Sequence, residues 1–261
     1  MRRVRPLQVV AAAAQLETRM LRRAPAELFA VWLVPLQTLG YLAIFRFGDR
    51  ADLDAYAVLA PAVIALWSLA LLVSGEVIAN ERDNQSLEAI AAAPARLELV
   101  MIGRVAVITL ASWIALPLSA LTGWVFFGVV PVVADPTVFA LAYLAMSVAT
   151  VATALLFAVF FVNSRSPRIF QNSLSYPFYV LGGVLVPIAL YPEWVQVLSR
   201  GVYLSWSADL LRAAATGVGL QGWPWRIAVI LGLALVTFVI AHVLLGLTMR
   251  NARREGKLGL T

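Results

Sequence analysis

The charged residues of this 261-residue chain fall in short clusters, and the stretches between them decide what it can fold into. Uncharged runs cover Leu28–Phe45, Ala55–Gly75, Val105–Ala134, Pro136–Ser164, Ile169–Pro192 and Ile227–Met249, with 18, 21, 30, 29, 24 and 23 residues. A helix rises about 1.5 Å per residue, so about 20 apolar residues cross a hydrocarbon core about 30 Å thick. Six helical spans fit. The gaps between Arg200, Arg212 and Arg226 are too short for another. Soluble domains carry about 25% charged residues. Here 13% are charged and 62% hydrophobic, which excludes a soluble globule and an intrinsically disordered chain alike. The expected fold is an all-α integral membrane protein, with residues 1–261 forming one transmembrane domain.

Lysine and arginine set the expected orientation. With both termini cytoplasmic, 15 of the 20 lie on the inner side and 5 on the outer: Arg46, Arg50, Arg200, Arg212 and Arg226. Anionic headgroups at the inner leaflet account for the net charge of +6, so no nucleic-acid partner is implied. The basic start, Met1-Arg2-Arg3-Val4-Arg5, precedes an apolar stretch broken at Gln15 and Glu17, which suits a retained terminus rather than a cleaved leader. Val9, Ala13, Leu16 and Met20 recur at helical spacing, with Gln8, Gln15, Arg19 and Arg22 on another face. This pattern predicts an interfacial helix over residues 6–24, separated from the first span by Pro25.

Two segments between spans carry structure of their own. Residues 193–226, between spans five and six, hold Trp194, Val195, Val197, Leu198, Val202, Trp206, Leu210 and Leu211 at helical spacing. Short helices lying in, or dipping into, the outer interface fit that pattern better than a polar loop. The inner loop between spans two and three, around residues 80–98, holds good helix formers from Ser86 to Ala93, ended by Pro94. A short rigid helix tied to two spans is a suitable lever for a partner protein on the inner side. Its alanine face is small enough to enter a groove, and Glu81, Arg82 and Glu88 can form charge pairs that fix register.

Catalytic motifs are missing. The sequence has no Walker-type phosphate loop, no His-Glu-x-x-His zinc motif and no Gly-x-Ser-x-Gly elbow. It has no cysteine, hence no disulfide or thiolate metal site. No cofactor or metal is expected. The single histidine, His242, has no carboxylate within its own span, so a structural hydrogen bond to a neighbouring helix is expected. The expected span interiors hold no charge, which argues against ion coupling.

The inner loop reads Asn80-Glu81-Arg82-x-x-x-Ser86-Leu87-Glu88-x-Ile90-x-x-x-Pro94, followed by Gly103-Arg104. It resembles the signature of the type-2 ABC exporter permeases: Glu-Arg, then Thr/Ser-Leu-Glu, then Pro, then Gly-Lys before the next span. Gly183, Pro187, Pro192, Trp194 and Asp209-Leu-Leu-Arg212 form a second match. Arg104 stands in place of the usual lysine, and Tyr203 where the family commonly has proline. The resemblance implies an N-terminal interfacial helix, six spans, a cytoplasmic coupling helix and outer re-entrant helices. It further implies a multi-pass protein of the inner membrane, paired with a second permease copy or similar permease. Two copies of a separate ATP-binding-cassette ATPase would drive it. Glu81, Arg82, Ser86, Leu87, Glu88 and Pro94 are the expected coupling residues, and Pro187, Trp194 and Arg212 mark the outer re-entrant segment.

For the path, Asn172, Tyr176, Tyr179 and Gly183 share one helical face of span five, while Leu174, Leu181 and Leu185 occupy another. Gln37 and Tyr41 in span one, with Trp67, Leu71 and Ser74 in span two, are further candidates. An apolar wall with aromatics and no fixed charge suits an amphiphilic or lipid-like cargo. A secondary transporter would need intramembrane ionisable residues and repeat symmetry. A non-transporting scaffold would not stimulate an ATPase in response to cargo.

Overall fold

The computed structural model describes residues 5–83, 97–129, 133–163 and 167–255, and among them every regular element is helical. An amphipathic helix α1 (Pro6–Arg23) leads through a 3₁₀ turn (Pro25–Leu28) into α2 (Phe29–Trp32) and α3 (Val34–Phe47). Next come α4 (Asp54–Asp83), α5 (Leu97–Ala111), α6 (Ala115–Phe127) and α7 (Pro136–Asn163). They are followed by α8 (Pro167–Leu181), two short helices α9 (Glu193–Ser199) and α10 (Tyr203–Thr216), and α11 (Trp223–Glu255). Among the described residues, five helical stretches are long and apolar enough to cross a membrane: Phe29–Phe47, Ala51–Gly75, Leu97–Phe127, Pro136–Phe161 and Trp223–Thr248. Backbone groups in lipid must be satisfied within the segment, so helix is the form such runs take.

The fifth uncharged run behaves differently from expectation. Residues 169–192 are not one helix: α8 has 15 residues and stops at Leu181. At about 1.5 Å per residue it is about 22 Å long, short of a full hydrocarbon core. Gly182 and Gly183 end it, the latter at φ +57°, a left-handed backbone that favours glycine. Pro187 and a 3₁₀ turn at Ile188–Leu190 follow. The third span is also shifted from the expected 105–134 to Leu97–Phe127, bringing Glu98 and Arg104 into it. It enters one helix because each charge meets a partner on another element.

α4 is the hub. It packs against α3, α5, α6, α7, α8 and α10. Its buried face is rich in alanine (Ala57, Ala60, Ala62, Ala65, Ala70), which lets neighbouring helices approach closely. Thr38 Oγ1 on α3 and Ser119 Oγ on α6 lie 2.7 Å apart, and Ser119 also donates to the Val58 carbonyl of α4. α7 lies between α4 and α11, with α10 also against it. Asp135 caps α7 by accepting from the Thr137 and Val138 amides at 3.1 and 3.0 Å.

α1 is docked against α5. A Cβ on Gly103 would sit 2.5 Å from the Val10 carbonyl, so glycine permits the contact. The inward face is not the one expected from periodicity alone: Ala13 and Glu17 are buried while Leu16 is exposed. Glu17 faces in because Arg104 Nε donates to its Oε2 at 2.6 Å, with the two side chains 1% and 8% exposed. Arg104 thus corrects the expectation of spans without charge. Removing one partner of a buried pair strands the other. We predict that Glu17→Ala costs about 3–5 kcal/mol, read as a lower Tm of the purified protein in detergent. Replacing both residues by methionine should recover most of that loss. An unchanged Tm for Glu17→Ala would contradict a buried pair here.

Candidate functional site

A cavity of about 590 Å³ lies between the α2–α3 segment, α4 and α8. Its lining includes Phe29, Leu33, Gln37 and Tyr41 from the first segment, Ile64, Ser68, Leu71 and Leu72 from α4, and Ser175, Tyr176, Tyr179, Val180 and Leu185 from α8 and beyond. None of its lining residues carries a charge. Helical spacing explains the convergence. Positions 37 and 41 lie one turn apart on α3, 64, 68, 71 and 72 follow one face of α4, and 175, 176, 179 and 180 follow one face of α8.

The polar groups form one wall. Ser68 Oγ and Tyr179 OH are 2.6 Å apart, which ties α4 to α8. The rings of Tyr176 and Tyr179 meet edge to face at 6.3 Å. Tyr179 is buried and Tyr176 is largely exposed at the rim. Gln37 has a buried Oε1 with no hydrogen-bond partner, a capacity that a guest with a donor could fill.

Of the path residues expected from sequence, Gln37, Tyr41, Leu71, Tyr176 and Tyr179 line this cavity together. Trp67 does not: its indole is 2% exposed and stacks on Phe178 at 4.7 Å, with Phe157 edge-on at 6.1 Å. Ser74 is buried, and its hydroxyl donates back to the Ala70 carbonyl. Gly183 sits in the turn beyond α8. The side chain of Asn172 lies outside the described residues. Leu185, expected on the opposite face from the tyrosines, lines the cavity instead, because the chain turns at Gly182 rather than continuing as helix. Ser68, Ser175 and Ile64 were missed by sequence reasoning. Ser68 lies one residue from Trp67 in an apolar helix, and its pairing with Tyr179 is a tertiary fact.

Beyond the cavity, the segment before α11 forms the two short helices α9 and α10, as the spacing of its apolar residues predicts. Trp194 is exposed on α9, and Pro187 precedes the 3₁₀ turn. α10 is largely buried, with Leu204, Leu210 and Leu211 at its packed face. Tyr203 has a clear role: its hydroxyl lies 2.7 Å from Thr150 Oγ1 and joins α10 to α7. Arg212 is 6% exposed and donates to the Gly183 carbonyl at 2.9 and 3.0 Å and to Asp209 at 2.9 Å. Its guanidinium also lies 4.0 Å over the Tyr56 ring.

On the other side of the molecule, Glu81 and Arg82 fall on the last turn of α4 rather than on a separate helix. Ser86, Leu87, Glu88 and Pro94 lie outside the described residues. His242 has its expected bond to a neighbouring helix, through Nδ1 to Glu98 Oε2 at 2.6 Å. The partner is a carboxylate from α5.

Described residues that are all helical or connecting, several helices long and apolar enough to span a membrane, an ion-paired amphipathic N-terminal helix and a cavity lined without charge fit a membrane transport component. The family model for the ABC-2 type transporter matches residues 18–215. The chain belongs to that family, whose members are the membrane permease domains of type-2 ABC transporters. It is a multi-pass, permease-type component rather than an ATPase itself, and the family as a whole works with ATP-binding-cassette subunits. The matched stretch runs from Thr18 of α1 to Ala215 of α10. No curated protein matches the chain.

Proposed function

We propose that this chain is the membrane-spanning subunit of an ATP-driven exporter in the cytoplasmic membrane, with both termini cytoplasmic. The cavity between α3, α4 and α8 is its part of the translocation path. The observation that carries this reading is the convergence of Gln37, Tyr41, Ser68, Tyr176 and Tyr179 from three helices on one space without charge. Hydroxyls and an amide on one wall and leucines on the other suit an amphiphilic or lipid-like cargo.

A second copy of the chain, or a similar permease, completes the path in this reading. Phe29, Leu33, Tyr176 and Val180 line the cavity and are exposed, an apolar surface open for such a partner. α8 acts as a sixth membrane segment, with the 193–226 segment re-entering from the outer side to make up for its shortness. Two cytoplasmic ATPase subunits engage the 80–98 loop through Glu81, Arg82, Ser86, Leu87 and Glu88, with Pro94 ending the lever. α4 supports this arrangement by running without a break to Asp83, so a push on the loop passes directly to a helix lining the cavity. α1 adds a flank, since its ion pair ties it to α5, where the loop re-enters the membrane.

Two experiments test the reading. Tyr176→Ala and Tyr179→Ala should alter cargo preference while basal ATPase activity of the assembled complex persists, and Leu181→Ala, off the cavity wall, should change stability more than preference. Equal effects from all three would remove the cavity from the path. Alanine at Glu81, Arg82 and Glu88 together should abolish transport without loss of folded permease in the membrane. Glu88→Lys should do the same, since like charges across an interface cost several kcal/mol. Normal transport by the triple variant would show that the loop is ordinary solvated surface.

A further inference from the structure

A single guanidinium holds three elements together where α8 ends. Arg212 of α10 donates two N–H groups to the carbonyl of Gly183, in the turn that follows α8. The same side chain lies over Tyr56 in the first turn of α4 and is paired with Asp209 one turn back along α10. The seat for this turn is closely built. A Cβ on Gly182 would meet Leu204 at 2.8 Å, and one on Gly183 would collide with Ile188. Val184, the next residue, is 1% exposed.

This turn links three lining residues of the cavity. Tyr179 and Val180 precede it and Leu185 follows it. The turn's own backbone bonds run back to α8, from Gly182 to Phe178, Gly183 to Val180 and Val184 to Tyr179. The polar ties to another helix, among the described residues, come from Arg212. They are charge-assisted and therefore strong. They are also incomplete. Arg212 Nε is buried with no hydrogen-bond partner, and the Asp209 side chain is 49% exposed. A fork with an idle donor and a solvated counter-ion is a hold that can be released without dismantling a fully satisfied network.

We infer that Arg212 is a positioning residue for transport: it latches the turn between the lining residues Val180 and Leu185, and the path opens at that turn when the latch releases. The inference rests on the reading of the cavity as the path. It adds which group holds the closure and where release occurs.

The chain contains no cysteine, so one can be introduced as a reporter. Val184→Cys places a thiol beneath the latched turn, and Ala149→Cys places one in α7, fully buried and away from it. Each is combined with Arg212→Gln, Tyr56→Leu or Tyr56→Phe in the membrane-embedded full chain, and labelling by a membrane-impermeant thiol reagent is timed. Hydrogen bonds to a charged group contribute roughly 1.5–3 kcal/mol. Arg212→Gln should therefore speed labelling at position 184 by roughly tenfold to a hundredfold. Tyr56→Leu should speed it less, and Tyr56→Phe, which keeps the ring, should not change it. Position 149 should stay unlabelled throughout. Arg212→Lys, with one ammonium in place of the fork, should fall between the parent and Arg212→Gln. Unchanged labelling at 184 in Arg212→Gln would overturn the latch, and so would equal acceleration at 149, which would mean general loosening. Labelling is read without cargo, so a failed latch and a failed path give different results. If Arg212→Gln does not accumulate, the Tyr56→Leu and Tyr56→Phe pair still decides the matter, identical labelling in both overturning the inference.

Discussion

The burial of α4 is the constraint on which the other helices depend. Inside a bilayer the lipid tails are as apolar as leucine, so helices associate through close packing and buried hydrogen bonds. α4 provides both. Its alanines admit α3, α5, α6, α7, α8 and α10 to close range. Its backbone carbonyl at Val58 and its Ser68 hydroxyl bond to α6 and α8 respectively. Once α4 is surrounded, the cavity is what remains where the α2–α3 segment and α8 fail to meet across it.

Buried charge within this apolar frame, at Glu17, Arg104 and Arg212, is held by polar partners on other elements, and the more exposed Glu98 bonds to His242 in the same way. Glu17 with Arg104 fastens the amphipathic helix to the start of the third span. Arg212 fastens α10 to the turn after α8 and to α4. Glu98 with His242 fastens α5 to α11. An unpaired charge in such a setting is costly, so these pairs fix positions more firmly than apolar contact alone. The cavity itself is left free of charge.

Much of the fold was legible because helical spans announce themselves as long runs without charge. Local spacing also found Gln37, Tyr41, Tyr176 and Tyr179, since residues three and four apart on a helix share a face. What was hidden depended on contacts between distant parts of the chain. Glu17 and Arg104 are 87 residues apart, and nothing in either neighbourhood announces the pairing. The break after Leu181 was obscured because glycines and prolines also occur in intact membrane helices. Leu185 was consequently assigned to the wrong face. Arg212 stood in a segment recognised as helical, yet its bond to Gly183 depends on a tertiary fold that spacing cannot show.

If the space between α3, α4 and α8 is a path that ATP hydrolysis opens and closes, its walls change their exposure with nucleotide. This is tested most directly by accessibility across the catalytic cycle. A cysteine at Ser68, on the cavity wall, is compared with one at Leu66, which is 1% exposed and not among the lining residues. Both are labelled in the assembled complex with its ATPase, without nucleotide and then with ATP. Labelling at position 68 should change with nucleotide while position 66 stays protected. Labelling at 68 that is indifferent to ATP, or that changes in step with 66, would contradict it.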